Sequence, residues 1–381
     1  MRDVVKRRIE RLEVRPADGA LYVRVTCDDG STGVGESTFF GWPEAAGVIA
    51  ESFASALVGA DPFDVEHLGL SLYRSFSFRG MAVSGAISAV DQALWDIKGK
   101  VLDEPVWRLL GGRVRRGVRA MRVLDTGTID EVNAAGAAAV AAGYTAVKVL
   151  LFQHEHHQMP TARRIADLCD RAFSLRATVG ADVDIAIELH RNMGLGDSLQ
   201  LMDAIGDIYP IFVEDPIPPD SVLRLAEIAA KARVPIAAGE RNTTIWEFAE
   251  YIESPGITVV RPDVGIAGGI TGVRKIAAMA QAHHVQLAPH AVPSGPVATA
   301  AHVQIGMCTA GWDWQEHVPQ FDDPRCADVV DAVVELVDGL LVPPDRPGLG
   351  IELDDVGLLK HPPRPPVMGS ALGPLGEVAF R

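Results

Sequence analysis

Six polar residues each close a short apolar run, and they recur almost evenly: Glu188, Glu214, Glu240, Asp263, His290 and Glu316, at intervals of 26, 26, 23, 27 and 26 residues. Such an interval accommodates one strand and one helix, so each residue is expected at the end of a strand in a repeating unit. In a closed parallel barrel these ends converge on the C-terminal face, where catalytic groups of such folds lie. Three neighbouring carboxylates repel one another and raise each other's pKa unless a cation neutralises them. Glu188, Glu214 and Glu240 therefore predict a hard divalent cation, and an oxygen-only donor set suits Mg²⁺. Asp263 and His290 end adjacent strands, so the carboxylate can orient the imidazole and raise its basicity. His190 follows Glu188 by two residues, on the same side of an extended chain. Two histidines on different walls suggest a base and an acid. Lys148 closes the run that begins at Thr145 and faces the presumed metal, where it either meets a substrate anion or forms a structural ion pair.

The elements that must position these groups are legible as texture. Apolar runs separated by Asp18-Gly19 and Asp29-Gly30 predict a small antiparallel meander. Helices follow from about Glu44, the clearest over Gly85 to Lys100, where Ile87, Val90, Ala93, Leu94 and Ile97 hold helical spacing until Gly111-Gly112 breaks the pattern. From Val118 onward, short β-branched runs alternate with Ala-rich amphipathic segments. Strands are expected at 118–124, 145–149, 183–189, 211–215, 235–239, 257–262, 285–289 and 312–315. Helix starts are signalled by the capping box Thr244-Ile245-Trp246-Glu247 and by Asp220-Ser221. Eight strands in this rhythm favour a closed α/β barrel over an open doubly wound sheet. The last fifty or so residues are Pro-rich, and an extended tail crossing back over the first segment is expected.

Composition excludes several functions. The 381 residues carry 35 Lys and Arg against 50 Asp and Glu, a formal charge of −15 with no dense basic run, so a nucleic-acid surface is not expected. Cys27, Cys169, Cys308 and Cys326 form no C-x-x-C pair, which points to reduced thiols rather than a disulfide framework or a zinc ribbon. No apolar stretch reaches the length of a membrane span, and a cytoplasmic protein is expected. The run His154, Glu155, His156, His157 offers donors that zinc accepts. It follows the second barrel strand with no helix to space the ligands, so a mobile lid over the mouth is the expectation. Gly265, Gly268 and Gly269 match neither the dinucleotide nor the Walker spacing.

Several stretches together resemble the enolase superfamily, in its mandelate racemase-like branch of acid-sugar dehydratases. They are 93–100 (Ala-Leu-Trp-Asp-Ile-Lys-Gly-Lys) with 109–112, Phe212 to Pro216, Pro235 to Arg241, Arg261 to Asp263 with Gly268 to Thr271, Ala288 to His290, and Pro347 to Gly350. The resemblance spans nearly the whole chain. It implies a modified TIM barrel, (β/α)7β, with an α+β capping domain formed by the N-terminal segment and the C-terminal tail; the boundaries expected are 1–112, 113–330 and 331–381. It implies Glu188, Glu214 and Glu240 as Mg²⁺ ligands, His290 with Asp263 as the base dyad, and Glu316 as a partner of the substrate carboxylate. Substrate selection is expected from the cap around Glu36 to Trp42, from Arg79 and, beside the third ligand, from Arg241. His190 resembles the acid of galactonate dehydratase-like members. The implied reaction is Mg²⁺-dependent loss of water from a small-molecule acid sugar to give a 2-keto-3-deoxy acid, in a homo-oligomer, dimer or octamer.

Two positions depart from the family. Glu188 stands where most relatives have Asp, and Leu150 stands two after Lys148, where racemases of the branch carry a second lysine. The second departure weakens a two-base racemase or epimerase, which remains the alternative enzyme. A metal-binding protein that has kept the fold and lost turnover is the alternative outside catalysis.

Overall fold

The computed structural model describes residues 7–37, 42–75, 79–291, 293–320, 323–364, 369 and 371–379. Strands β1 (Ile9–Ala17), β2 (Ala20–Cys27) and β3 (Thr32–Ser37) form the expected antiparallel meander. Its turns fall at the two Asp-Gly dipeptides, where Asp18 and Gly30 take left-handed φ angles of 46° and 83°. Leu21, Val23, Val25 and Cys27 alternate along β2 and pack with Ala86, Ala89, Val90, Ala93 and Ile97 of the helix Met81–Leu102. Gly33 and Gly35 make that approach possible, because a Cβ at either would strike the backbone carbonyls of Ala93 and Ala89.

Eight parallel strands form the second layer: β4 (Val118–Leu124), β5 (Ala146–Leu150), β6 (Asp184–Glu188), β7 (Phe212–Glu214), β8 (Ile236–Ala238), β9 (Ile257–Val260), β10 (Gln286–Leu287) and β11 (Gln315–His317). Each pairs with the next from β4 to β10. The barrel closes where β11 pairs with β4 and Trp312 bridges to Leu287. Seven strand-to-strand connections carry helices, and β11, the last strand, closes the ring by pairing with β4, the first. The fold is thus α/β, a barrel capped by the N-terminal α+β layer. The expected eighth strand at 312–315 shifts to 315–317: Trp312 contributes only an isolated bridge, its ring fully buried and its indole N–H donated to Gln315 at 3.1 Å.

One side chain from each strand, or from the residue adjoining it in the case of β10 and β11, fills the barrel floor: Met121, Ala146, Ala186, Phe212, Ala237, Val259, Ala288 and Trp314. Small and large residues nearly alternate round the ring, which lets one layer close without a void. Because side chains alternate faces along a strand, the positions two further on must also point inward. Six of these eight are Lys148, Glu188, Glu214, Arg261, His290 and Glu316; the other two are Val123 and Gly239.

Cap and barrel are joined by buried polar contacts. Asp91 accepts from the Thr271 N–H at 3.0 Å, and the Trp95 indole donates to Thr271 Oγ1 at 2.9 Å. Glu36, fully buried at the end of β3, accepts the N–H groups of Gly295 (2.6 Å), Val297 (3.0 Å) and Ala298 (3.0 Å) at the start of the helix Pro296–Met307. A carboxylate suits that end of a helix. The final segment corrects the expectation of a wholly extended tail. Strands β12 (Glu335–Val337) and β13 (Leu340–Val342) form a hairpin that pairs with β4, and a short helix spans Asp355–Lys360. The chain then returns to the cap, where the Asp18 N–H donates to the His361 carbonyl at 2.9 Å and Arg24 binds Asp355 at 2.9 Å.

Candidate active site

The inward layer above the floor is a buried network of charges. Lys148 reaches Glu188 at 2.8 Å, Glu214 at 2.7 Å and Glu316 at 2.6 Å. Arg261, with no exposed surface, contacts Glu214, donates to Glu316 at 2.7 Å and donates to the Ala288 carbonyl at 2.7 Å. Burial and Arg261 lower the Lys148 pKa, but the three carboxylates outweigh them and hold it above its ordinary value. Burial raises Glu188, reinforced by the charge of Glu214 beside it, whereas Arg261 and Lys148 hold Glu214 down against its own burial. Of these two neighbours, Glu188 is the carboxyl that more readily takes a proton.

Carboxylate oxygens of Glu188, Glu214 and Glu240 lie within 4.8 Å of one another, and no other such group occurs among the described residues. The three side chains come from consecutive strand ends, as the spacing predicts. With only hard oxygen donors and a net excess of negative charge, the group fits a hard divalent cation.

The dyad is equally explicit. His290 Nδ1 lies 2.8 Å from Asp263 Oδ2, and Asp263 Oδ1 accepts the Gly265 N–H at 2.7 Å. The opposite ring nitrogen of His290 points to Glu240 at 3.7 Å and Glu316 at 4.0 Å. Burial lowers the His290 pKa, but the bond to Asp263 and the charges of Glu316 and Glu240 raise it to about 9. Glu316 also accepts the Ala291 N–H at 2.7 Å. His190 stands at the same rim, its backbone N–H donated to Glu188 at 2.9 Å and its ring nitrogen against Arg191; burial, then Arg191, lowers its pKa to about 4.

The structure thus brings Glu188, Glu214, Glu240, Asp263, His290, Glu316, Lys148 and His190 to one place. The other three expected residues lie on exposed surface. Arg241, 45% exposed, turns toward Asp220 at 3.9 Å. Trp42 precedes the helix Pro43–Ser52 and is 49% exposed. Arg79 is exposed. The stretches 38–41 and 76–78, which adjoin Trp42 and Arg79, lie outside the described residues. The histidine run is corrected as well. It forms a short 3-10 helix, His154–Gln158, in which His156 is buried and bonded to Asp167 at 2.8 Å, so it is packed rather than a loose lid.

Three charged members escaped the sequence reading: Arg261, Arg191 and Asp215. Arg261 sits between Val259 and Asp263 on the inward face, so period-two alternation alone identifies it. Asp215 and Arg191 are carried by turns, with φ of 40° and 68°, and no periodicity marks them.

A parallel barrel with buried acids at its C-terminal mouth, roofed by a separate α+β layer, defines a class of barrel enzymes. Residues 14–111 match the N-terminal domain of the mandelate racemase/muconate lactonizing enzyme family, and residues 131–356 match the enolase C-terminal domain-like family. The chain belongs to this family. It is 33% identical over 354 residues to D-galactonate dehydratase of Ralstonia nicotianae, covering 90% of each chain. With D-galactonate dehydratase of Variovorax paradoxus the identity is 32% over 382 residues, 97% of this chain and all of the relative. Among solved structures, an enolase from Agrobacterium radiobacter with bound sodium and L-malate superposes with a TM-score of 0.92 at 27% identity, covering 98% of this chain and 100% of the other. A mandelate racemase/muconate lactonizing enzyme from a Jannaschia species gives 0.86 at 30% identity, with the same coverage. The chain is accordingly an enzyme of the carbon–oxygen lyase class. No helix among the described residues is long and apolar enough to cross a membrane.

Proposed function

We propose that this enzyme dehydrates a hexonate-type sugar acid to a 2-keto-3-deoxy acid, with His290 as base, Asp263 as its orienting partner and His190 as acid. The observation that carries the reading is the position of His290: one nitrogen bonded to Asp263 at 2.8 Å, the other turned toward Glu240 and Glu316.

Glu188, Glu214 and Glu240 would hold Mg²⁺, which when bound supplies positive charge beside the substrate carboxylate. Removing the proton α to a carboxylate puts a second negative charge on its oxygens, a species water would not sustain. In its neutral form His290 takes that proton through the nitrogen remote from Asp263, and Asp263 holds the other nitrogen as N–H so that the ring keeps one tautomer. Lys148 and Glu316 flank the position of the substrate carboxylate. The β-hydroxyl leaves as water with a proton from His190, and the enol product tautomerises to the keto acid. His190 is uncharged at neutral pH in this arrangement. The imidazolium is the form that donates, so His190 takes up a proton before the hydroxyl leaves. The reading carries with it a cytoplasmic homo-oligomer and the organisation cap 1–112, barrel 113–330, returning segment 331–381.

The test is incubation of galactonate, gluconate and mannonate with Mg²⁺ in D₂O. A keto acid is expected; deuterated, otherwise substrate-like isomers would instead establish an epimerase. His290→Asn should slow formation of either product by about 10²- to 10⁴-fold, and undiminished activity in that variant would remove His290 from the role.

A further inference from the structure

After Glu188 the chain makes an abrupt turn. His190 and Arg191 both adopt left-handed φ angles, 50° and 68°, which non-glycine residues seldom hold in succession. The turn is secured by the Arg191 N–H donating to the Asp215 carbonyl at 2.9 Å and the Asn192 N–H donating to the Leu189 carbonyl at 3.2 Å. Its effect is to send the Arg191 guanidinium into the carboxylate network. One amino group binds Asp215 at 3.0 Å and also Glu240, while the other lies against the His190 ring. Only 10% of the side chain is exposed.

The charge count gives this placement its meaning. Glu188, Glu214, Asp215, Glu240, Asp263 and Glu316 supply six carboxyl groups, against Lys148, Arg191 and Arg261 as fixed cations. Lys148 and Arg261 rise from strands inside the barrel and serve Glu188, Glu214 and Glu316. Arg191 comes from a turn, and it alone of the three binds Glu240.

We propose that Arg191 is a resident counter-cation for Glu240: it holds Glu240 beside Asp215 in the metal-free enzyme and competes with a metal ion for the charge of that carboxylate. Arg191 thereby sets the metal affinity below what the three carboxylates alone would give. It is a positioning residue, and the inference rests on the metal reading of Glu188, Glu214 and Glu240 given above.

The experiment is Mn²⁺ binding, followed by electron paramagnetic resonance of the free ion, on metal-stripped wild type, Arg191→Gly, Arg191→Gln, Arg191→Lys and Glu240→Gln. Glycine suits the left-handed backbone, so Arg191→Gly is expected to fold, and circular dichroism checks it. Loss of a competing, largely buried charge should tighten Mn²⁺ binding by about tenfold or more in the Gly and Gln variants. Arg191→Lys, which keeps the charge, should stay nearer the wild type. The Mn²⁺-induced rise in melting temperature should also be larger in Arg191→Gly, because its metal-free form has lost the counter-cation. Equal or weaker binding in a folded Arg191→Gly overturns the proposal. If Glu240→Gln then still weakens binding, the metal site stands and only the role of Arg191 falls. If no protein of the series binds Mn²⁺, both fall.

Discussion

At the scale of single residues, the site is a buried charge balance and its titration has predictable signs. The His290 pKa, raised from 6.5 to about 9, means that the folded protein binds this proton more tightly than the unfolded chain. The His290–Asp263 pair therefore contributes its full stability below pH 6.5 and loses it as pH climbs through about 9. In metal-free protein, the melting-temperature gap between wild type and His290→Asn should narrow over that interval, and a constant gap would contradict the assignment. The same substitution should lower turnover by about 10²- to 10⁴-fold, the contribution of a positioned acid–base group, while leaving Mn²⁺ binding in place. Glu188 carries the opposite consequence. Its proton, favoured by burial and by Glu214, must leave when a cation takes the carboxylate. Calorimetric titration in buffers of different ionisation enthalpy should detect that release, and metal affinity should rise with pH over the range in which Glu188 remains protonated.

At the scale of elements, the site depends on a helix pressed unusually close to a strand. Backbone carbonyls of Ala89 and Ala93 occupy the space where side chains at Gly35 and Gly33 would be. Gly35→Ala should destabilise the protein by about 3 kcal/mol, since neither backbone can yield easily, and urea unfolding measures it. Glu36 ends the same strand and satisfies three N–H groups at the head of the helix Pro296–Met307, a few residues beyond His290. Glu36→Ala leaves these buried donors unpaired, at a cost of about 1–3 kcal/mol. Because it also loosens the segment after His290, the variant should lose turnover in excess of what its remaining folded fraction explains.

At the scale of the whole molecule, metal binding and stability are linked. A cation that binds only the folded state, at a hundred times its dissociation constant, adds about 2.7 kcal/mol to the unfolding free energy. Thermal unfolding with Mg²⁺ and with a chelator should differ accordingly, and Glu214→Gln should abolish the difference. The linkage follows from the topology. The three glutamates lie on β6, at the end of β7 and just beyond β8, so the grip exists only when these three strands are paired in the folded barrel.

Much of this was legible in the chain because its signals are local and periodic. The interval between polar strand ends reflects the length of one strand–helix unit, and it locates Glu188, Glu214, Glu240, Asp263, His290 and Glu316. The Asp-Gly turns and the Thr244–Glu247 capping box appear where expected, since a few neighbouring residues determine them. The same kind of signal, Asp338-Gly339 between two apolar pairs, marked the β12–β13 hairpin that the Pro-rich composition obscured. Residues whose partners are remote in sequence were not legible. That Arg261 is buried between Glu214 and Glu316, that Glu36 ends against the helix after His290, and that Arg241 turns toward Asp220 are outcomes of packing. The sequence by itself determined which groups reach the mouth of the barrel, because strand period and unit length are properties of the local backbone. Only the tertiary structure decided which cation neutralises which carboxylate, because that depends on distances of a few ångströms between strands that the chain keeps far apart.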